Sequence, residues 1–286
     1  MIKHLAILGV GLIGSSLALA LRETGHVQRV SGFGRNRRNL ERGVELGVLD
    51  DFSLDLGEVV SDADMVLVAV PLGAMAELFA HMAPLLPDRA VITDVGSAKG
   101  SVVNDARNGL GDHFARFVAG HPIAGTERSG VEAGFATLFQ QRKVILTPTG
   151  ETETQAVDRV RDMWLACGAG VELMAVEHHD QVLAATSHLP HMLAFSLVSH
   201  LSKMSDQDEI FDYAAGGFRD FTRIASSDPV MWRDICIANR DALIDLIEGY
   251  QQELTLVADA IRRQDPDALQ ELFTDAKHTR DQLRNL

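Results

Sequence analysis

Short apolar runs punctuate the first 176 positions at regular intervals. They fall at 4–9, 28–33, 65–70 ("MVLVAV"), 90–95 ("AVITDV"), 116–121 ("RFVAGH") and 143–148 ("KVILTP"). Between the early runs the apolar spacing is helical, as in "LIGSSLALALRET" (12–24, closed by Gly25), "NLERGVELG" (39–47) and "GAMAELFAHMAPLL" (73–86). Bounded runs of four to eight residues alternating with helical stretches predict a mostly parallel sheet covered on both faces. "TETQAVDRVRDMWLACG" and "GVELMAV" add one more helix and strand. From Glu177 onward the spacing is helical throughout. It predicts a long helix over 177–204 with Pro190 inside it, another over 229–263 and a third over 266–283. The expected fold is therefore α/β: a Rossmann-like domain over 1–176, then an all-helical dimerisation domain over 177–286. So much apolar helix in so short a segment points to a homodimer formed through the C-terminal helices.

The 286 residues suit two domains, and the 46% hydrophobic and 23% charged content is ordinary for a globular protein. A net charge of −14 argues against a general nucleic-acid binder. Anionic small molecules remain open, because local arginines outweigh distant charge within a Debye length of about 8–10 Å. Two well-separated cysteines, the absence of a leader-like N-terminus, and no apolar run near the roughly 18 residues of a membrane span set the expectation of a cytoplasmic protein without a membrane partner.

"ILGVGLIGSS" places Gly9, Gly11 and Gly14 in G-x-G-x-x-G spacing between a strand and a helix, the context of a dinucleotide fingerprint. Gly9 suits the tight turn, Gly11 close approach of a pyrophosphate, and Gly14 helix–strand packing, with Leu12 and Ile13 in the first helical turn over the cofactor. About 20 residues further on, where an acid would meet the ribose, stand Gly34 and Arg35. This favours NADP, since arginine forks onto phosphate oxygens, and leaves NAD open. Val70 and Pro71 end a strand on the nicotinamide side.

Ser97, in "TDVGSAKG", is either a helix cap, a site residue or both. His121 ends a strand among glycines, a fitting place for an acid/base group, and Glu127 follows six residues later. In "SHLPH", His188 and His191 share a helix face; with His178, His179 and Asp180 they form a weak metal set, and a kinked helix beside a polar pocket explains them more simply. No metal is expected. "GGFRDFTRIASSDPVMWRD" (216–234) concentrates Gly216, Arg219, Asp220, Arg223 and Trp232, suited either to carboxylate recognition or to a surface ion-pair network.

Together "GVGLIGSS", "TDVGSAKG", "GHPIAGTERSG", "SHLPH" and "GGFRDFTRIASSDPVMWRDI" resemble the prephenate/arogenate (cyclohexadienyl) dehydrogenases of tyrosine biosynthesis over almost the whole chain. The resemblance implies NAD(P)-dependent oxidative decarboxylation of prephenate or L-arogenate. It implies His121 as the catalytic base on the substrate 4-hydroxyl, with Ser97 contacting both. Arg223 would bind a substrate carboxylate. His191, Gly216 and Trp232 would line the pocket, the last two from the partner subunit, and Glu127 and Asp220 would belong to an ionic network at its mouth. Two other readings compete: a hydroxyisobutyrate-type hydroxy-acid dehydrogenase, which would use a helix lysine, and a non-catalytic NADP-binding sensor, which would not need His121, Ser97 and Arg223 to converge.

Overall fold

The computed structural model describes residues 1–126 and 128–283. Two compact units emerge, Met1–Arg240 and Asp241–Leu286. The first opens with β1 (Ile2–Leu8), α1 (Leu12–Glu23), β2 (Val27–Phe33), α2 (Arg37–Glu45), β3 (Asp51–Ser53), α3 (Leu56–Val60), β4 (Met65–Val68), α4 (Met75–Met82), β5 (Val91–Asp94), α5 (Lys99–Gly109) and β6 (Phe117–Val118). The six strands form one parallel sheet in the order β3-β2-β1-β4-β5-β6, the doubly wound arrangement whose ligands bind beyond the strands' carboxyl ends. Alternate residues of β1 serve opposite apolar layers: Leu5 and Ile7 pack with Leu17 and Trp164, Ala6 and Leu8 with Phe79 and Val102. Burial on both faces explains why these strands read as continuous apolar runs.

The run at 116–121 is not one strand. It breaks at Ala119 into β6, at the edge of the main sheet, and β7 (Gly120–Pro122), which starts a second sheet. There β7 pairs antiparallel with β8 (Lys143–Leu146), and β8 pairs parallel with β9 (Gly170–Leu173), with α6 (Thr154–Ala166) between them. His121 therefore sits on this small sheet, opposite Ile145.

Next comes a continuous helix over Val176–Leu201, made of α7 (Val176–Leu183), a π-helical segment (Ala184–His188) and α8 (Leu189–Leu201). Pro190 has no N–H for the preceding turn and its ring crowds that turn's carbonyl; the widened segment accommodates it. The helix is 26 residues long and its most apolar 18-residue stretch has a mean hydropathy of 1.3, so by length and composition alone it could cross a bilayer. The unit continues with α9 (Gln207–Asp212), α10 (Gly216–Thr222), a 3-10 turn (Arg223–Ser226) packed on α8, and α11 (Pro229–Ala238).

The helix expected over 229–263 is likewise broken. Asn239 leaves helical geometry at φ −111°, ψ 37°, ending α11, and α12 (Arg240–Arg262) follows. The second unit consists of most of α12 and α13 (Pro266–Gln282), the latter capped by Asp265. Each unit leaves large apolar side chains uncovered: Tyr213, Phe221 and Ile237 in the first, Leu256, Ile261 and Phe273 in the second.

Candidate active site

At the carboxyl end of β1 the chain turns at Gly9 with φ +99°, and a Cβ there would lie 2.4 Å from the Ala69 carbonyl oxygen, so only glycine fits. Gly14 is equally constrained, its Cβ position 2.8 Å from both the Gly9 carbonyl and Ile7. Gly11 differs: nothing lies within 4 Å of its Cβ position, and no side chain caps α1 there. The first turn of α1, including Leu12 and Ile13, thus offers backbone N–H groups over open space, as a pyrophosphate requires. Asn39 steadies the loop by donating to the Val10 carbonyl at 2.7 Å. Val70 and exposed Pro71 follow β4 on the same side, and the Gly73 N–H donates to Asp234 on α11 at 3.2 Å.

At the end of β2, Gly34 has room for a side chain, its Cβ position being 3.6 Å from Leu40. Arg35 is exposed and pairs with no acid among the described residues, whereas Arg37 reaches Glu41 at 3.5 Å and lies over the Phe52 ring.

Beneath β7 lies an ion pair wholly removed from solvent. Lys99 Nζ donates to Asp94 Oδ2 and, at 2.7 Å, to the Gly120 carbonyl. Asp94 also accepts from the Gly96 and Gly120 N–H groups at 2.7 and 3.0 Å. Burial pulls the Lys99 ammonium downward while Asp94 opposes the fall. The pair fastens the turn carrying Ser97 to the strand carrying His121.

His121 is buried, with 8% of the residue exposed. Its Nδ1 lies 2.9 Å from His179 Nε2, and His179 Nδ1 lies 2.8 Å from Asp180 Oδ1. Asp180 Oδ1 and Oδ2 accept from the Lys99 and Gly100 N–H groups, both at 2.7 Å, capping α5. Burial pushes the Asp180 carboxyl up, but the hydrogen bonds from His179 and these amides outweigh it, and the net shift is downward. Burial holds His121 well below the ordinary histidine range, with His179, Lys99 and His188 pushing the same way. His121 is accordingly a neutral ring, and its Nε2 makes no hydrogen bond among the described residues.

Across the site, Asn239 Nδ2 donates to the Asp180 carbonyl at 2.8 Å and to His188 Nδ1 at 3.1 Å. His188, held down to about 4 chiefly by burial, keeps Nε2 without a full hydrogen bond among the described residues; the Ser97 backbone is near enough to favour its protonated form. Trp232 stacks on His191 at 3.7 Å between centroids and meets His188 edge-on. His191 Nδ1 donates to the Ser187 carbonyl at 2.9 Å.

The structure therefore brings together His121, Ser97, His191 and Trp232. Gly216 begins α10 and Asp220 lies exposed upon it; Arg223 opens the following 3-10 turn. Glu127 lies outside the described residues. His179 and Asp180 turn toward His121 and α5, and among the described residues no three potential ligands cluster for a metal ion.

Models of two domains match this chain, "Prephenate dehydrogenase, nucleotide-binding domain" over residues 17–173 and "Prephenate dehydrogenase, dimerization domain" over 175–275. The chain is 41% identical to a cyclohexadienyl dehydrogenase of Zymomonas mobilis over 97% of its own length and 95% of that protein's. The chain belongs to the prephenate dehydrogenase family. A crystal structure of the Aquifex aeolicus prephenate dehydrogenase in complex with hydroxyphenyl propionate and NAD+ superimposes with a TM-score of 0.92 at 38% identity, covering 99% of each chain. The Synechocystis arogenate dehydrogenase follows with a TM-score of 0.81 at 28% identity, covering 98% of this chain and 99% of that one.

Within this prephenate dehydrogenase family member, sequence reasoning missed four residues of the site. His179 and Asp180 stood in "EHHD" as an adjacent titratable pair, yet their partner His121 is 58 positions away. Lys99 lay inside "TDVGSAKG", five residues after Asp94, a spacing that spans strand, turn and helix. Asn239 carried no local signal beyond being a polar residue in an apolar helical run.

Proposed function

We propose that this chain catalyses the NAD(P)-dependent oxidative decarboxylation of prephenate, L-arogenate or both, yielding 4-hydroxyphenylpyruvate or L-tyrosine. The observation that carries this reading is His121: a neutral, nearly buried imidazole with Nε2 open and Nδ1 tied to His179. A bound nicotinamide cofactor would supply the hydride acceptor for ring C4. His121 Nε2 takes the proton of the 4-hydroxyl, and the electron pair left on oxygen forms the ketone. Electrons from the ring carboxylate then flow toward that carbonyl, CO2 departs, and the ring becomes aromatic. Ser97, beside His188, orients the hydroxyl, and Arg223 grips a carboxylate with its planar fork. The Trp232–His191 stack forms one wall of the pocket, and Asp220 contributes charge at its mouth.

Gly9, Gly11 and Gly14 would hold the pyrophosphate of the cofactor at the start of α1. We further propose NADP as the favoured cofactor, because no carboxylate stands at Gly34 to repel a 2'-phosphate and Arg35 has no acidic partner among the described residues. The apolar side chains left uncovered on the helices after Glu177 fit a second copy of the chain, so a cytoplasmic homodimer without membrane or nucleic-acid partners is the proposed working form. Initial rates with both acids against both cofactors test this reading: turnover of at least one cyclohexadienyl acid supports it, and cofactor binding without turnover of either contradicts it.

A further inference from the structure

His121 is almost sealed from water, so a proton taken at Nε2 needs somewhere to go. Asp180 carries a carboxylate whose oxygens can only accept. His179 Nδ1 therefore donates to Asp180 Oδ1 across 2.8 Å, leaving His179 Nε2 as an acceptor. The only hydrogen that can fill the 2.9 Å contact with His121 is then the one on His121 Nδ1. That fixes His121 as the Nδ1–H tautomer, with an unprotonated Nε2 as the base.

We propose that His179 and Asp180 form a two-step relay that both selects the working tautomer of His121 and receives the proton it abstracts. The proposal rests on the reading of His121 as the base. In the step, the substrate O–H bond breaks and a bond from hydrogen to His121 Nε2 forms, while the electron pair stays on oxygen and the hydride goes to the nicotinamide. The His121 Nδ1–H bond then breaks as a His179 Nε2–H bond forms. No atom is gained or lost; the positive charge moves from His121 to His179, beside the Asp180 carboxylate. After product leaves, the reverse shift returns the proton through His121 Nε2 to water.

The surroundings favour this direction. Lys99 and His188 face His121 and oppose a cation there, while Asp94 offsets much of the Lys99 charge from beneath. Asp180 touches His179 directly and is itself held by the first amides of α5. Asn239 anchors the Asp180 backbone and adds no charge. His179 and Asp180 are positioning residues in this scheme; neither touches the substrate.

Nitrogen-15 spectra of the histidine-labelled wild-type chain at neutral pH read the tautomer directly. Hydrogen on His121 Nδ1 is expected, and hydrogen on Nε2 overturns the relay. In kinetics with prephenate and NADP, His179→Gln keeps an acceptor for His121 but cannot hold the proton. Its plateau kcat is expected to fall roughly 10–100-fold with KM little changed. A folded His179→Gln chain that keeps the wild-type kcat overturns the relay. A wild type that turns over neither acid defeats the functional reading instead, and the spectra still decide the tautomer.

Discussion

His121 Nδ1 and His179 Nε2 lie 2.9 Å apart, joining a strand of the small sheet to the helix that opens the C-terminal half of the chain. The contact completes a line from the open Nε2 through His179 to Asp180 and the N-terminus of α5. One end of this line is open at His121 Nε2; the other is locked into the fold.

Replacing His121 by Asn removes the base without changing the backbone. His121→Asn is expected to fold and bind cofactor while kcat drops roughly 10²–10⁴-fold. In the wild type, burial and then His179 and Lys99 keep His121 neutral to well below its usual range. Activity should therefore be flat through neutrality and fall only on the acid side, where the base is protonated. That limb should vanish in the variant; its persistence reassigns the base.

Arg223→Ala tests carboxylate recognition. Losing a charge-assisted contact costs about 1.5–3 kcal/mol, so KM for the acid should rise roughly 10–100-fold while KM for the cofactor holds. A near-normal KM for the acid would return Arg223 to a surface role.

Arg35→Ala should weaken NADP by roughly 10–100-fold and leave NAD nearly unchanged, since only NADP carries the 2'-phosphate. Gly34→Asp should act in the opposite sense by offering the ribose hydroxyls a carboxylate. The position tolerates a side chain, its nearest neighbour being Leu40 at 3.6 Å. A wild type that prefers NAD tenfold defeats the NADP reading.

Lys99→Met leaves the Asp94 carboxylate fully buried with only two backbone donors. Removing one member of a buried pair typically costs about 3–5 kcal/mol, which lowers Tm by roughly 6–20 °C in a chain of this size. Adding Asp94→Leu should recover part of the loss. A Tm within a degree or so of wild type would show that the pair carries little of the stability.

The glycine turn, the parallel sheet and His121 were legible because each rests on local rules: spacing of apolar residues, a φ only glycine tolerates, a strand end. The division of "RFVAGH" at Ala119 was not, because a strand leaves its sheet when a second partner, here β8, becomes available from elsewhere. The helix break at Asn239 has the same character: its amide is spent on Asp180 and His188, contacts 59 and 51 positions away. Lys99 was passed over because a fully buried lysine is rare, and nothing in its immediate neighbours announces the pairing with Asp94. In "EHHD" the residues were visible and the partner was not, so a metal set and a relay read alike until His121 was placed beside them.

The central claim is tested most directly by the stoichiometry of a single reaction. Prephenate and NADP mixed with the purified chain should yield reduced cofactor, CO2 and 4-hydroxyphenylpyruvate in equal amounts, or L-arogenate should yield reduced cofactor, CO2 and tyrosine. Reduced cofactor without matching CO2, or no turnover of either acid by a chain that binds cofactor, would contradict it.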